Sequence, residues 1–357
     1  MTAPVLFLPK RTESTVLSLD LFPTHSARAH SYLLSELRSL PAPLSELLLH
    51  HYETRIDRGA SAATIPWMVA DLFDIKITPD VEAVAHAWLL LHLYTLFLDD
   101  FLDEPDIATP QQLALASQLC FHRSITKLYA LVPTVLVHSS TIIGLFDEAI
   151  TAVNEEVFGS GPYSPQDPSQ IYKKMSTLKI WAVVLLHMHG RDRDIESYSV
   201  ALHNLLNAFQ LLDDIRDWKD DWCHARSTYL IATTMERLRA AGFTLNSAEV
   251  TLDEILAAIV STSAYTDTLD LSSRFLESTL NALDKGRGSA TASLLFELID
   301  ENNETKKTIS GLATKQQMLF KGRYDWEEWR SAVQRLNTDG TLPKIAGITT
   351  MLLAGAA

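Results

Sequence analysis

The sequence predicts an all-α protein, and two observations lead to that prediction. Apolar residues recur at spacings of three and four over most of the chain, as they do along one face of an α-helix. Alternating apolar and polar runs bounded by turn dipeptides, which are typical of strands, are nearly absent. We therefore expect a single helical domain over residues 26–357, with residues 1–25 as an N-terminal extension.

The individual helices follow from where this periodicity persists and where it breaks. The strongest segments predict long helices over residues 29–40, 81–98, 111–131, 141–157, 171–189 and 195–218. Weaker periodicity predicts further helices over residues 252–264, 269–283, 290–299 and 309–320. Gly, Pro and Ser interrupt the pattern and predict loops at residues 158–169, 242–248 and 285–289.

Composition and charge exclude several classes of protein. The chain has 357 residues, of which 47% are hydrophobic, so it can bury a large core. It carries 30 basic against 44 acidic residues, and no basic block interleaves with aromatic residues, so we expect no nucleic-acid partner. Its two cysteines, Cys120 and Cys223, cannot form a disulfide framework.

The sequence also predicts a cytoplasmic protein without an integral membrane segment. The longest apolar stretch, residues 87–98, contains His92 and is shorter than the roughly 20 residues that a bilayer needs. The first ten residues lack a basic region ahead of a long apolar run, so they do not resemble a signal peptide.

The first candidate site lies at the end of the most apolar predicted helix. Asp99 and Asp103 are four residues apart, so on a helix they lie about 40° apart on one face, with Asp100 beside them. Two bare carboxylates in that position repel each other unless water or a cation separates them. Because the preceding helix is too apolar on all sides to be a surface helix, we expect the carboxylates to line a cleft.

The second candidate site repeats this pattern in a later helix. Asp213, Asp217 and Asp221 continue the four-residue spacing along one stripe, and Asp214 follows the first of them. Hard oxygen ligands of this kind suit Mg²⁺, which is often shared with substrate phosphates. Opposed carboxylate clusters holding Mg²⁺ stabilise a diphosphate as a leaving group. The alternative is two acidic helix ends in an acidic protein, which the repetition of the pattern after two apolar runs disfavours.

With both motifs in place, residues 50–230 resemble the all-trans isoprenyl diphosphate synthase superfamily, which includes the class I terpene synthases. The first motif matches the family's DDxxD, with His92 ahead of it, and residues 209–217 match FQxxDDxxD. Lys174 resembles a lysine that contacts diphosphate in the family. The resemblance implies an antiparallel helix bundle around a deep central cavity, with the motifs facing each other at its mouth. It also implies Mg²⁺ as cofactor, as three ions for which Mn²⁺ substitutes, and a homodimer.

Departures from the family pattern favour a cyclase over a chain-elongating enzyme. Elongating enzymes usually carry Gly-Lys-Arg near the N-terminus and two arginines after the first motif, whereas residues 58–66 read RGASAATIP and the next arginine after the motif is Arg123. A second diphosphate needs such compensating cations. Arg323 and Tyr324 resemble the Arg-Tyr pair that terpene synthases use on diphosphate, and Arg226 is a further candidate contact.

Other substrate contacts are predicted on the segments that lead to the motifs. By resemblance, side chains at Tyr94 and Thr95 limit the depth of the prenyl tail, and Phe209 lies where substrate is contacted. Trp67, Trp88 and Trp181 are candidates for a pocket wall, although core packing is the more common role of such residues. The histidines predict no metal site, because His187 and His189 project from opposite sides of a helix.

The function expected from these features is a Mg²⁺-dependent class I terpene synthase, which ionises a linear allylic prenyl diphosphate and cyclises it. One alternative is a chain-elongating synthase that binds isopentenyl diphosphate through unfamiliar cations. Another is a catalytically silent subunit that regulates a partner prenyltransferase, although such a subunit needs no metal ligands. Head-to-head synthases share the scaffold but match the motifs less well.

Overall fold

The computed structural model describes residues 21–54, 56–103, 110–158, 167–242, 250–286 and 288–320, together with Ser331 and Gln334. Within these ranges the chain forms α-helices and short 3-10 helices and contains no strand, which confirms the predicted all-α class. The α-helices are α1 (Pro23–Arg38), α2 (Ala42–Thr54), α3 (Ile56–Leu72), α4 (Pro79–Asp103), α5 (Pro110–Leu131), α6 (Ser139–Phe158), α7 (Thr177–Met188), α8 (Ile195–Cys223), α9 (Tyr229–Ala240), α10 (Leu252–Ser261), α11 (Ala264–Ala282) and α12 (Ala290–Phe320). The 3-10 helices are Pro133–His138 before α6, Pro168–Met175 before α7 and Asp192–Asp194 before α8.

Helix α4 lies in the larger hydrophobic core, which it shares with α1, α3, α5 and α7. The ring of Trp88 in α4 lies 6.3 Å from that of Trp181 in α7, and its indole N–H donates to the carbonyl of Thr177 at 3.5 Å. Trp181 donates to the carbonyl of Pro66 in α3 at 3.1 Å. Because Trp67, Trp88 and Trp181 are all fully buried, the described structure shows them as core residues.

A second hydrophobic core holds the C-terminal half of α8. Ile215 and Trp218 pack with residues of α9 and α10, and with Tyr265 of α11. Their burial turns one face of α8 inward. Arg216 and Asp217, which lie between them in the sequence, are therefore on the other, partly exposed side of the helix. The α8 helix also packs against the 3-10 helix Pro168–Met175.

Several element boundaries differ from the sequence prediction. Helices α2, α3 and α9 were not predicted from the sequence. Of these, α3 contains Gly59 and Pro66, which interrupt a helical pattern. The helix predicted over residues 171–189 is confirmed only as α7, because a separate 3-10 helix ends at Met175 before α7 begins. The two helices predicted over residues 290–299 and 309–320 are one continuous helix.

The polar middle of α12 is helical because its side chains bond to α11. Asn302 donates its amide N–H to the hydroxyl of Ser273 at 3.2 Å, and Asn302 and Thr305 are buried. Lys306 forms an ion pair with Asp270. Because polar contacts hold this part of the helix in place of an apolar face, apolar periodicity is lost there and predicted two helices instead of one.

Two described segments are long and apolar enough to cross a membrane, as judged by length and composition alone: Pro79–Leu98 and Pro133–Glu155. The first is mostly the buried α4 of the core, and buried core helices pass the same test. The second, which includes most of α6, exposes several large apolar side chains, namely Leu136, Val137, Ile143 and Ile150. The absence of an integral membrane segment stays a prediction.

Candidate metal and diphosphate site

The second aspartate motif brings two carboxylates onto one cation. The guanidinium of Arg216 donates from Nε and Nη2 to the two oxygens of Asp217, at 2.9 and 3.0 Å. Its Nη2 also donates to Oδ1 of Asp213. Asp213 and Asp217 lie one helical turn apart on a partly exposed face of α8, so their oxygens converge as the four-residue spacing predicted. Arg216 was not among the residues predicted for this site.

Asp214 lies on a different side of α8 and is buried. Its Oδ1 accepts from Nε2 of Gln210 at 3.0 Å, and its Oδ2 accepts from the backbone N–H of Tyr229 at 2.9 Å. Tyr229 is the first residue of α9, whose N-terminal N–H groups need acceptors and favour a negative charge. Asp214 therefore joins α8 to the start of α9.

Asp221 is the buried end of the carboxylate stripe. Its Oδ1 lies 3.7 Å from Nη1 of Arg226, and the backbone N–H of Arg226 donates to its carbonyl at 2.8 Å. Burial raises the pKa of Asp221 to about 7, with a further rise from Asp214 and a decrease from Lys174 and Arg226. Lys174 and Arg226, two predicted diphosphate contacts, are therefore close enough to Asp221 for their charges to act on it.

Lys174 is brought to α8 by the 3-10 helix that ends at Met175. The backbone N–H of Tyr172 donates to Oδ1 of Asn207 in α8 at 2.7 Å. Two hydroxyls that flank Lys174 donate to Glu148 of α6, from Tyr172 at 2.9 Å and from Ser176 at 2.5 Å. The segment that carries Lys174 is thus tied to both α6 and α8.

A buried lysine completes this polar network. Nζ of Lys179 in α7 lies 3.0 Å from Oε2 of Glu148 and 2.7 Å from Nε2 of His203 in α8. Burial lowers the pKa of Lys179 and lowers that of His203 to about 4, so the His203 ring is neutral and accepts from Lys179. The ring of Tyr172 stacks on that of His203 at 4.1 Å. We call Glu148, Tyr172, Ser176, Lys179 and His203 the Glu148 network. None of these five residues was predicted from the sequence as part of the site.

The first aspartate motif lies in the last turns of α4, which continues beyond the predicted end at Leu98. The side chains of Asp99, Asp100 and Asp103 lie outside the described residues, as do Arg323 and Tyr324 entirely. The face-to-face arrangement of the two motifs therefore stays a prediction. Both helices that carry them contact α7.

The residues predicted to bound the prenyl tail are partly buried. Tyr94 packs against Phe121 of α5, with ring centroids 5.1 Å apart, and Thr95 donates its hydroxyl to the carbonyl of His92 at 2.7 Å. The ring of His92 stacks on Trp88, and burial lowers its pKa to about 4. Phe209 packs against the larger core. Their contact with substrate stays a prediction.

The described carboxylates fit a hard divalent cation. Asp213 and Asp217 offer oxygen donors that already converge on the positive charge of Arg216, and Mg²⁺ prefers such ligands. Lys174 and Arg226 add positive charge at the neighbouring Asp221, which suits a phosphate-bearing ligand. No protein-family model and no curated protein matches the chain.

Proposed function

We propose that this protein is a Mg²⁺-dependent class I terpene synthase that ionises a linear allylic prenyl diphosphate and cyclises the resulting carbocation. The observation that supports this most directly is the convergence of Asp213 and Asp217 on one cation, with Lys174 and Arg226 beside Asp221. The carboxylates for a metal on α8 thus adjoin two cations for a diphosphate, Lys174 in the 3-10 helix Pro168–Met175 and Arg226 just after the end of α8. We further propose that Asp99, Asp100 and Asp103 complete the metal site from α4.

Each group has a distinct part in the proposed reaction. The C–O bond of the substrate breaks, and its electron pair leaves with the diphosphate. Lys174 and Arg226 bind the departing diphosphate and balance its charge. When Mg²⁺ is bound by Asp213 and Asp217, it supplies Lewis-acid stabilisation of the same leaving group. The carbocation closes its ring and then loses a proton or captures water.

The proposal is tested by incubating the full-length protein with Mg²⁺ and allylic diphosphates of ten, fifteen, twenty or twenty-five carbons. Each substrate is tested with and without isopentenyl diphosphate, and the products are identified by gas chromatography–mass spectrometry. We expect a cyclic hydrocarbon or alcohol from one substrate without isopentenyl diphosphate. Longer prenyl alcohols that form only with isopentenyl diphosphate indicate a chain-elongating enzyme instead. Inactivity alone, with activation of an added prenyltransferase, indicates a regulatory subunit.

Variants separate the metal ligands from ordinary acidic residues. Asp213→Asn and Asp217→Asn each remove one converging carboxylate and are expected to lower turnover on the order of 10²-fold. Asp220→Asn is the matched control, since this exposed aspartate of the same helix is expected to leave turnover unchanged. Equal turnover in all three variants and the unmodified protein contradicts the proposed site.

A further inference from the structure

A second group of metal-type ligands lies near the opposite end of α8 from the carboxylates. His138 ends the 3-10 helix before α6, His187 lies in the last turn of α7, and Asp192 begins the 3-10 helix before α8. Asp213 lies about 27 Å further along the helix axis than the first residue of α8. The proposed reaction therefore uses none of these three residues.

The three side chains already converge on one point. Oδ1 of Asp192 lies 2.5 Å from Nε2 of His138 and 2.6 Å from Nδ1 of His187. The three candidate ligand atoms all lie within 4.8 Å of one another. Tetrahedral Zn²⁺ with bonds of about 2.0–2.2 Å separates its ligand atoms by about 3.3 Å. To reach that spacing from both nitrogens, the carboxylate of Asp192, whose side chain is 46% exposed, moves outward by less than about 1 Å.

A neighbouring hydroxyl favours the ring form that a metal needs. Nε2 of His187 lies 3.0 Å from Oγ1 of Thr134. With its proton on Nε2, the ring donates to Thr134 and keeps the lone pair of Nδ1 for a metal. Metal-binding histidines generally donate their other ring N–H to a nearby oxygen, which fixes the tautomer and the ring orientation. Thr134 lies where that partner is required.

The ligand set and its setting select the ion. Two imidazoles and one carboxylate suit Zn²⁺, whereas Mg²⁺ prefers oxygen ligands. The imidazoles are mostly buried, with 16% of His138 and 14% of His187 exposed, while Asp192 opens to solvent. We propose that His138, His187 and Asp192 form a Zn²⁺ site that ties the segment before α6 to the end of α7 and the start of α8.

The test measures Zn²⁺ binding to chelator-treated full-length protein by isothermal titration calorimetry in excess Mg²⁺. The visible spectrum of bound Co²⁺ provides a second readout. We expect one Zn²⁺ per chain, a higher melting temperature with Zn²⁺, and loss of binding in His187→Gln. His189→Gln, an exposed histidine two residues further along, is the matched control and keeps the site. Thr134→Val is expected to weaken Zn²⁺ binding about 10–100-fold.

Three outcomes overturn the proposal: no stoichiometric Zn²⁺ binding by the unmodified protein, undiminished binding in His187→Gln, or loss of binding in Asp213→Asn. The last outcome places the ion at the carboxylate motif instead. If His187→Gln does not fold, Asp192→Asn replaces it, because this side chain is half exposed and outside the core. Retained binding in Asp192→Asn then overturns the proposal, and its loss supports it.

Discussion

The Glu148 network makes an asymmetric prediction about stability. Glu148 and Lys179 form one ion pair, but the lysine side chain is only 4% exposed, whereas the glutamate is 24% exposed. Removing the glutamate charge leaves a buried ammonium whose described partners, such as the His203 ring, are all neutral. Removing the lysine leaves a better hydrated carboxylate that still accepts from Ser176 and Tyr172. Glu148→Gln should therefore destabilise the protein more than Lys179→Met.

The size of the effect follows from the proton on Lys179. A lysine with the ordinary pKa of 10.5 needs about 4.8 kcal/mol to lose its proton at pH 7, which sets an upper limit on the penalty. Since breaking a buried pair typically costs about 3–5 kcal/mol, we expect Glu148→Gln to lose about 3–5 kcal/mol at that pH. Lys179→Met should lose about 1–2 kcal/mol, mainly through lost hydrogen bonds.

The pH dependence has a definite sign. Burial lowers the pKa of Lys179 in the folded protein, and the attraction to Glu148 opposes that decrease, so Glu148→Gln lowers the pKa further. A depressed pKa in the folded state destabilises the protein most at low pH, and the penalty disappears as the pH approaches the pKa of the unfolded chain. At pH 9 the upper limit falls to about 2 kcal/mol.

The assay is urea unfolding at pH 7 and pH 9, with each variant compared with the unmodified protein at the same pH. Glu155→Gln removes an exposed charge from the same helix and is expected to change stability by less than about 0.5 kcal/mol. The double variant Glu148→Gln/Lys179→Met should recover most of the loss, because no buried charge remains. A larger loss of stability in Lys179→Met than in Glu148→Gln, or an equal loss in Glu148→Gln at both pH values, contradicts this prediction.

Two further predictions concern the aspartates of α8. Asp214→Ala removes the acceptor at the start of α9 and should therefore lower the free energy of unfolding by about 1–3 kcal/mol. Urea unfolding measures this change, and a loss below about 0.5 kcal/mol contradicts the role of Asp214. Asp221→Asn should raise the melting temperature in EDTA at pH 8, because burial and nearby carboxylates raise the pKa of Asp221 to about 7 and disfavour its charged form. Because its pKa is raised in the folded protein, Asp221 carries no penalty at low pH and destabilises the fold as the pH rises through 7. The increase in melting temperature in Asp221→Asn should therefore shrink as the pH falls toward 4. An increase that is the same at every pH contradicts a charge effect of Asp221.

The sequence predicted those parts of the fold that rest on local periodicity. Helices α5 and α6 begin and end within two residues of their predicted bounds, and α8 begins at the predicted Ile195. The failures occurred where tertiary contacts decide local structure. The break before α7 coincides with Tyr172 and Ser176 bonding to Glu148, which lies on a separate helix. The spacing of residues within one segment does not predict a hydrogen bond to a separate helix.

In the candidate sites too, local spacing predicted some groupings of residues, and others depend on tertiary contacts. Helical spacing predicted that Asp213 and Asp217 share a face, and the shared Arg216 guanidinium agrees with it. No histidine site was predicted, because the pattern in the sequence relates only neighbours such as His187 and His189. The actual companions of His187 are Asp192, five residues later, and His138 on a different segment. Only the folded chain brings His138 and His187 together.

The adjacent residues Asp213 and Asp214 have different partners because an α-helix turns by about 100° at each residue. Asp213 faces the cation of Arg216, while Asp214 accepts from the start of α9 and anchors the helix. Four residues turn by about 400°, so each repeat of the motif rotates the carboxylate by about 40°. Asp221 therefore lies about 80° round the helix from Asp213, which explains why the stripe begins partly exposed and ends buried. The partly exposed end pairs with the Arg216 guanidinium, and the buried end lies where the charges of Lys174 and Arg226 act on Asp221.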